Sequence, residues 1–322
     1  MKLKMMFASM ALPALVLLPL ASHAQQATPV RLVVGYPAGG SSDALARMIA
    51  EKLRDDLGTT VLVENRPGAG GQIAADFVRQ APADGSTVLV ANTHMMVMLP
   101  LTSKSTKYNS VTDFKAIGRI TSFYNAIAVP VSSPVTSVAQ WLEAARKDPA
   151  QGNFGVPAAG SLGQFIGFRL GQDAKTSLLP VPYKGAAPVV QDLLGGQVAA
   201  GIVPVLDVAP HHASGKLKVL AVNGASRAQL LPNVPTLKEL GVAGFDSLEW
   251  TALLAPAATP KPVIDRLNAA LNKALAGKEL QQRLLQLGME AAPGTSEALS
   301  QQISGDLERW GPVVKASGFT ID

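Results

Sequence analysis

Two glycine-rich segments of the chain share one pattern of residue types. Five of seven positions are identical between Gly35-Tyr36-Pro37-Ala38-Gly39-Gly40-Ser41 and Gly155-Val156-Pro157-Ala158-Ala159-Gly160-Ser161. Glycine allows the backbone to approach a ligand closely and to adopt positive φ. Serine adds a hydroxyl that can donate to an anion or cap a helix. We call residues 35–41 the first loop and residues 155–161 the second loop.

Each loop follows an apolar run typical of a buried strand and precedes a helical pattern. A helix N-terminus presents free backbone N–H groups at the positive end of its dipole, which suits an anion. In open α/β sheets, ligands bind beyond the carboxyl ends of the strands. Facing each other, the two loops could hold a dicarboxylate at both ends or a monocarboxylate at one. The alternative is that both are ordinary strand-to-helix turns.

Further polar residues occupy positions from which they could reach a ligand. Asn92, Thr93 and His94 directly follow a predicted strand, and we expect them either to contact the ligand or to cap a turn. Asp43 lies in a first helical turn, where it complements the dipole, caps the loop or accepts from a ligand amine. Asp207 follows another strand, as a helix cap or as a ligand contact.

The composition argues against catalysis, metal binding and nucleic-acid binding. The chain has no cysteine, and we find neither a G-x-S-x-G nucleophile turn nor an H-E-x-x-H metal motif. We therefore predict no enzyme activity, no cofactor and no metal, although a catalytic site built from distant residues stays an alternative. The net charge of +5 comes without a Lys/Arg run, and aromatic residues are sparse at 5%, which excludes a typical nucleic-acid surface.

The N-terminus has the pattern of a cleaved export signal. Lys2 and Lys4 precede an uncharged apolar run over residues 5–20, and Ser22-His23-Ala24 supplies small residues for signal peptidase. We predict a signal peptide over residues 1–24 and a periplasmic mature protein. A membrane anchor is the alternative, but the run is shorter than the roughly 20 apolar residues that a span needs.

Short β-branched runs alternate with helical patterns along most of the chain, which predicts an α/β fold with parallel strands. Two such series and a helical C-terminal part indicate two similar lobes. We expect residues 25–125 and 248–322 to form lobe 1 and residues 126–247 to form lobe 2. The chain would cross between them near 123–129 and near 248–254, through short hinge strands that allow rigid-body closure.

Several longer motifs resemble those of the Bug-type periplasmic solute-binding proteins of the tripartite tricarboxylate transporter family. The resemblance covers essentially the whole mature chain. It rests on residues 36–43 (YPAGGSSD), 63–71 (VENRPGAGG), 181–188 (VPYKGAAP), 194–198 (LGGQV) and 231–236 (LPNVPT).

This resemblance implies a two-lobe fold like that of type II periplasmic binding proteins, each lobe a mixed sheet flanked by helices, with a central ligand cleft. It implies that main-chain groups of residues 37–41 and 158–161 hold a ligand carboxylate, and that a membrane transporter is the partner. We expect a monomer. A sensor that signals to a membrane receptor is an alternative. Many relatives have Asp where this chain has Ala199, so a ligand specificity that uses that residue does not carry over.

Overall fold

The computed structural model describes residues 28–321, so the predicted signal peptide lies outside the described residues. In chain order the strands are β1 (Val30–Val34), β2 (Val61–Asn65), β3 (Thr87–Asn92), β4 (Phe114–Phe123), β5 (Asn125–Pro130), β6 (Asn153–Val156), β7 (Leu179–Pro182), β8 (Ala200–Pro204), β9 (Leu217–Val222), β10 (Glu249–Pro256) and β11 (Glu290–Ala291). The α-helices are α1 (Ser41–Leu57), α2 (Gln72–Arg79), α3 (Leu99–Thr102), α4 (Val138–Lys147), α5 (Leu162–Asp173), α6 (Ala186–Leu194), α7 (Val205–Ala213), α8 (Lys261–Leu275), α9 (Lys278–Gln286) and α10 (Ser296–Ser317).

The strands form two mixed sheets of similar topology. The first has the order β11-β4-β10-β3-β1-β2 and the second the order β7-β6-β8-β5-β9. In the first sheet β1 pairs in parallel with β2 and β3, while β10 is antiparallel to β3 and β4. In the second, β6 pairs in parallel with β7 and β8, while β5 is antiparallel to β8 and β9. The predicted α/β fold with two mixed sheets is confirmed, and we call the parts built on these sheets the first and second lobes.

The antiparallel strand of each sheet arrives from the other lobe. Only Tyr124 separates β4 of the first sheet from β5 of the second. The chain returns after β9, and β10 enters the first sheet at Glu249. Because β10 and β5 run against their parallel neighbours, they begin at the edge where β3 and β8 end. Both crossings therefore lie at the carboxyl edges of the sheets, where a ligand cleft is expected.

Helix α1 shows how local sequence produces the elements that support the site. Its apolar stripe, including Leu45, Ile49 and Leu53, is buried against the first sheet. Gly58 ends the helix in the left-handed conformation, and its N–H donates to the carbonyl of Arg54. The helix begins at Ser41, two residues before the expected start at Asp43. The last residue of the first loop is thus already helical.

Helix α10 packs against both lobes. It lies against β4 of the first lobe and α5 of the second, and it buries Leu299, Ile303 and Trp310 in a core that contains residues of both sheets. The buried Asp306 accepts from the indole N–H of Trp250 at 3.0 Å. The C-terminal segment therefore joins the two lobes, although it follows a strand of the first.

One strand is shorter than its sequence pattern indicates. The pattern of residues 197–203 predicts a strand, but β8 begins only at Ala200. After β3 the chain forms a π-helical turn, His94–Met98, that continues into α3. Residues 95–98 of this turn are buried. Tertiary burial of these apolar side chains, more than helix propensity, accounts for the turn, and such turns are frequent near functional sites.

Candidate functional site

Asp43 holds the first loop from inside the protein. Gly39 has a φ of 84°, and its N–H donates to Oδ2 of Asp43 at 2.9 Å. Arg47 Nε donates to the same oxygen at 2.9 Å. The hydrogen bond from Arg47, followed by that from Gly39, lowers the pKa of Asp43 from 3.8 to about 2. Asp43 is therefore an ionised loop cap, the second of the roles considered for it.

Gln164 has the corresponding position in the second loop. Gly160 has a φ of 71°, and its N–H donates to Oε1 of Gln164 at 2.9 Å. The Gln164 side chain is buried in the first turn of α5. A neutral amide thus replaces the carboxylate of Asp43, and the second loop carries no negative charge of its own at this place.

The structural correspondence of the loops differs by one residue from the sequence alignment. The ungapped alignment pairs Gly40 with Gly160, but the structural counterpart of Gly160 is Gly39. Both glycines have positive φ, both donate to a side chain four residues later, and both lie two residues before a helix start. Gly40 instead has an ordinary extended backbone, with φ −78° and ψ 170°.

Both helix N-termini lack a cap from their own side chains. Gly40 at the start of α1 and Ser161 at the start of α5 make no side-chain capping hydrogen bond. The first N–H groups of each helix therefore have no helical partner. Residues 37–41 are exposed, and the buried Oγ of Ser161 has no hydrogen-bond partner within residues 28–321. Unused donors of this kind bind carboxylates.

The C-terminal residues cover part of the second loop. A Cβ placed on Gly160 would lie 3.1 Å from the Phe319 ring and 3.3 Å from Ile321 Cδ1. The N–H of Ile321 donates to the carbonyl of Thr102 in the first lobe at 2.9 Å. Gly160 is consequently buried beneath a segment that also touches the other lobe. The exposed residues of the second loop are Ala158 and Ala159.

Tyr36 fastens the first loop to the two neighbouring strands. Asn92 Nδ2, at the end of β3, donates to the Tyr36 hydroxyl at 3.0 Å. Asn65 Nδ2, at the end of β2, donates to the Tyr36 carbonyl at 3.1 Å. Burial raises the pKa of Tyr36 above its usual 10.0, so the hydroxyl stays protonated. Asn92 is among the residues expected at the cleft, whereas Asn65 is not, although a polar residue that closes an apolar strand is a usable signal.

Thr93 and His94 are neighbours in different environments. Oγ1 of the buried Thr93 accepts from the Trp250 N–H at 2.8 Å and donates to the Trp250 carbonyl at 3.4 Å. The Thr93 hydroxyl therefore holds β10 against β3, and its ligand contact stays a prediction. His94 is partly exposed, and a Cβ on Gly70 would lie 3.0 Å from its Nε2. Burial lowers the pKa of His94, which favours a neutral ring.

Asp207 lies in the first turn of α7, just beyond the end of β8. Its side chain is half-buried, and burial raises the pKa of the carboxyl. We find no hydrogen bond to this side chain in the described part of the chain. A carboxylate at the positive end of a helix is explained by the dipole. No hydrogen bond among residues 28–321 joins Asp207 to either loop.

Glu249 and Asn125 lie at the carboxyl edges of the two sheets and are not among the site residues predicted from the sequence. They begin the two crossing strands, β10 and β5, and Asn125 Nδ2 donates to Oε1 of Glu249 at 2.8 Å. Burial raises the pKa of Glu249 from 4.5 to about 6, while the hydrogen bond from Asn125 opposes the shift. The charge of Glu249 also contributes to the raised pKa of Tyr36. The sequence offers one signal for Glu249, which is a single carboxylate in a crossing segment that is otherwise largely apolar.

Neither a metal site nor a membrane-spanning helix is found among residues 28–321. No group of three or more His, Asp and Glu side chains is arranged to hold a metal ion. No helix in this part of the chain has the length and apolar character needed to cross a membrane.

Two similar sheets, joined by two crossing strands with a glycine-rich loop before a helix at each sheet, define a two-lobe α/β protein of the solute-binding class. The family model "Tripartite tricarboxylate transporter family receptor" matches residues 45–319. The chain belongs to this family, and the predicted resemblance is confirmed. Membership implies a periplasmic location.

Similar sequences extend over nearly the whole chain. The UPF0065 protein in the tcbD-tcbE intergenic region of Pseudomonas sp. (strain P51) is 35% identical over 88% of this chain and 84% of its own length. Protein BugT of Bordetella pertussis is 31% identical over 94% of this chain and 93% of its own length.

Solved structures agree with the fold and with carboxylate binding in relatives. Periplasmic binding protein BugD is 33% identical, with a TM-score of 0.72 over 91% of this chain and 98% of its own. Rpa4515 of R. palustris, solved with adipate, is 32% identical, with a TM-score of 0.76 over 91% and 99% of the two chains. MatC of Rhodopseudomonas palustris, solved with bound malate, is 28% identical, with a TM-score of 0.72 over 89% and 98%.

Proposed function

We propose that this protein captures a small mono- or dicarboxylate between its lobes and delivers it to a tripartite tricarboxylate-type membrane transporter. The observation that supports this most is the pair of uncapped helix N-termini, each behind a loop whose positive-φ glycine is held by a side chain four residues later. The same arrangement in both lobes is expected if both loops bind an anion. Two unrelated strand-to-helix turns would have no reason to share it. Binding of adipate by Rpa4515 and of malate by MatC supports the same ligand class.

The contact atoms follow from the hydrogen bonds that are already made. The N–H groups of Gly39 and Gly160 donate to Asp43 and Gln164, and those of Gly40 and Ser161 donate to the carbonyls of Pro37 and Ala158. The carboxylate would therefore bind the free N–H groups of the first helical turns, at residues 41–43 and 162–163, and the Ser161 hydroxyl. The rest of the binding surface would come from exposed loop residues and the neutral His94 ring. Asp207 is a candidate ligand contact in the second lobe. The proposed loop contacts are Tyr36, Pro37, Ala38, Gly40, Ser41, Ala158 and Ala159.

Closure would be a rotation of residues 126–247 against residues 25–125 and 248–322, with the hinge at Tyr124 and at the start of β10. Such rotation would bury the ligand and present a distinct closed form to the membrane partner. We propose further that residues 1–24 are removed on export and that the mature protein is a monomer that binds neither cofactor nor nucleic acid. A mature N-terminus at Gln25, determined by mass spectrometry, tests the cleavage.

A thermal-shift screen tests the ligand class. Refolded, ligand-stripped protein is heated with adipate, malate or benzoate, and with glucose and sodium chloride as controls. A ligand present at 100-fold its Kd stabilises the folded state by about 2.7 kcal/mol, which is a shift of several degrees. We expect at least one carboxylate to give it. Shifts with glucose alone would remove the proposal, and catalytic turnover of a bound carboxylate would replace it with the enzyme alternative.

A further inference from the structure

Glu249 lies at the sheet edge where the proposed cleft opens. The antiparallel register pairs Thr251 with Asn92, the last residue of β3. Glu249 therefore extends beyond the end of β3, at the same sheet edge as the first loop. Its charge acts on Tyr36, the residue of that loop that bonds to Asn92.

The carboxylate of Glu249 is only partly satisfied. Oε1 accepts from Asn125, but no hydrogen bond reaches Oε2 within the described residues, and no Lys or Arg pairs with the group there. The side chain keeps some exposure to solvent. Oε2 is open to solvent, so water satisfies it when the cleft is empty. A bound ligand that carries a hydrogen-bond donor would replace that water at this oxygen.

The loops and Glu249 make opposite demands on a ligand. The helix N-termini attract a carboxylate, whereas an ionised Glu249 repels a second carboxylate and accepts only from a donor. We infer that Glu249 selects the chemical group at the end of the ligand opposite the carboxylate that the loops bind. The preferred ligand is a monocarboxylate that carries a hydroxyl, amide or ammonium group in place of a second carboxylate. This inference rests on the proposed carboxylate-binding function and narrows it.

Matched ligand pairs test this selection. Adipate and adipamate, and succinate and succinamate, differ only in the replacement of one carboxylate by an amide. At about pH 8, where Glu249 is ionised, isothermal titration calorimetry should show that the wild-type protein binds the monoamide of at least one pair about tenfold or more tightly than the dicarboxylate. Equal affinities within both pairs, or tighter dicarboxylate binding, would overturn the inference and leave the carboxylate-binding function standing.

The variant Glu249→Gln provides a second test of this selection. The glutamine keeps an oxygen for Asn125 but loses the charge, so the monoamide preference should fall about tenfold or reverse. Glu308→Gln, which removes the same charge from an exposed position of α10, should leave the preference unchanged. If both variants shift the preference equally, long-range charge explains it and the local role of Glu249 is wrong. If no carboxylate of either kind binds, the proposed function fails together with the inference.

Discussion

The side-chain amide of Asn125 donates to Oε1 of Glu249 at 2.8 Å, which joins the first residue of β5 to the first residue of β10. These are the two strands that follow the crossings between the lobes. Asn125 is itself fixed by Asn223, whose Oδ1 accepts from the Asn125 N–H at 2.7 Å. The charge of Glu249 is thereby coupled to the geometry of both hinge strands.

Glu249 should make the protein less stable as the pH rises towards neutrality. Its pKa is about 6 when folded and 4.5 ordinarily, so between these values the folded state holds a proton that the unfolded chain has released. The free energy of unfolding therefore falls with rising pH by ~2 kcal/mol through this group. Tyr36, its titratable neighbour, stays neutral throughout because its pKa is raised.

Urea unfolding of the wild type and of Glu249→Gln at stepped pH isolates this effect. The stability of the variant relative to the wild type should rise by that amount from about pH 4.5 to about pH 6 and then level off. A relative stability that does not change with pH would show that Glu249 titrates normally.

Removal of the Asp43 carboxylate should loosen the first loop. Asp43→Ala leaves the Gly39 N–H without its acceptor, and we expect a loss of about 1 kcal/mol in unfolding free energy together with weaker carboxylate binding. Because the pKa of Asp43 is about 2, its contribution is present above its unfolded pKa and is lost as the pH falls towards 2. Amide hydrogen exchange at Gly39 should accelerate, and that at Gly160 should not. Faster exchange at both would indicate global destabilisation.

Gly40 should be more critical for binding than for folding. Its extended backbone tolerates a side chain, and a Cβ there meets only the Pro37 carbonyl, at 3.4 Å. Gly40→Val should therefore fold but block access to the α1 N–H groups, with a loss of about tenfold or more in affinity. Gly277 is a matched control, since it also precedes a helix with an extended backbone and a Cβ there would lie 3.3 Å from a carbonyl. Equal losses in both valine variants would move the site away from α1.

The C-terminal residues should stabilise the second loop. Phe319 packs edge-to-face on Phe165 of α5, with ring centroids 5.9 Å apart, and covers Gly160. Because Phe319 is only partly buried, we expect Phe319→Ala to cost about 2 kcal/mol, less than the roughly 3–5 kcal/mol of a fully buried phenylalanine, and to accelerate amide exchange at Gly160. Lys315→Ala, at an exposed position of α10, is the control. Unchanged exchange at Gly160 in Phe319→Ala would mean that the segment does not support the loop.

Much of the fold is predictable from local pattern. The stripe of α1 and its Gly58 end, the strands that precede both loops, and the loops themselves follow from residue types and spacing within about ten positions. The asparagines around Tyr36 illustrate the limit. Asn65 and Asn92 are far apart in sequence from Tyr36, and only the pairing of β1 with both β2 and β3 brings them to one residue.

The repeated Pro-Ala motif, and with it the prediction of paired anion-binding loops, was determined by sequence alone. The tertiary structure decided which glycines correspond, because φ and helix start depend on how each loop meets its helix. Contacts remote in sequence also join the Thr93 hydroxyl to Trp250 of β10 and bury Gly160 under the C-terminal residues. They place Glu249 at the same sheet edge as the first loop. Hydrogen bonds and charges act over a few ångströms in space, whatever the distance along the chain, so these roles could be found only in the folded protein.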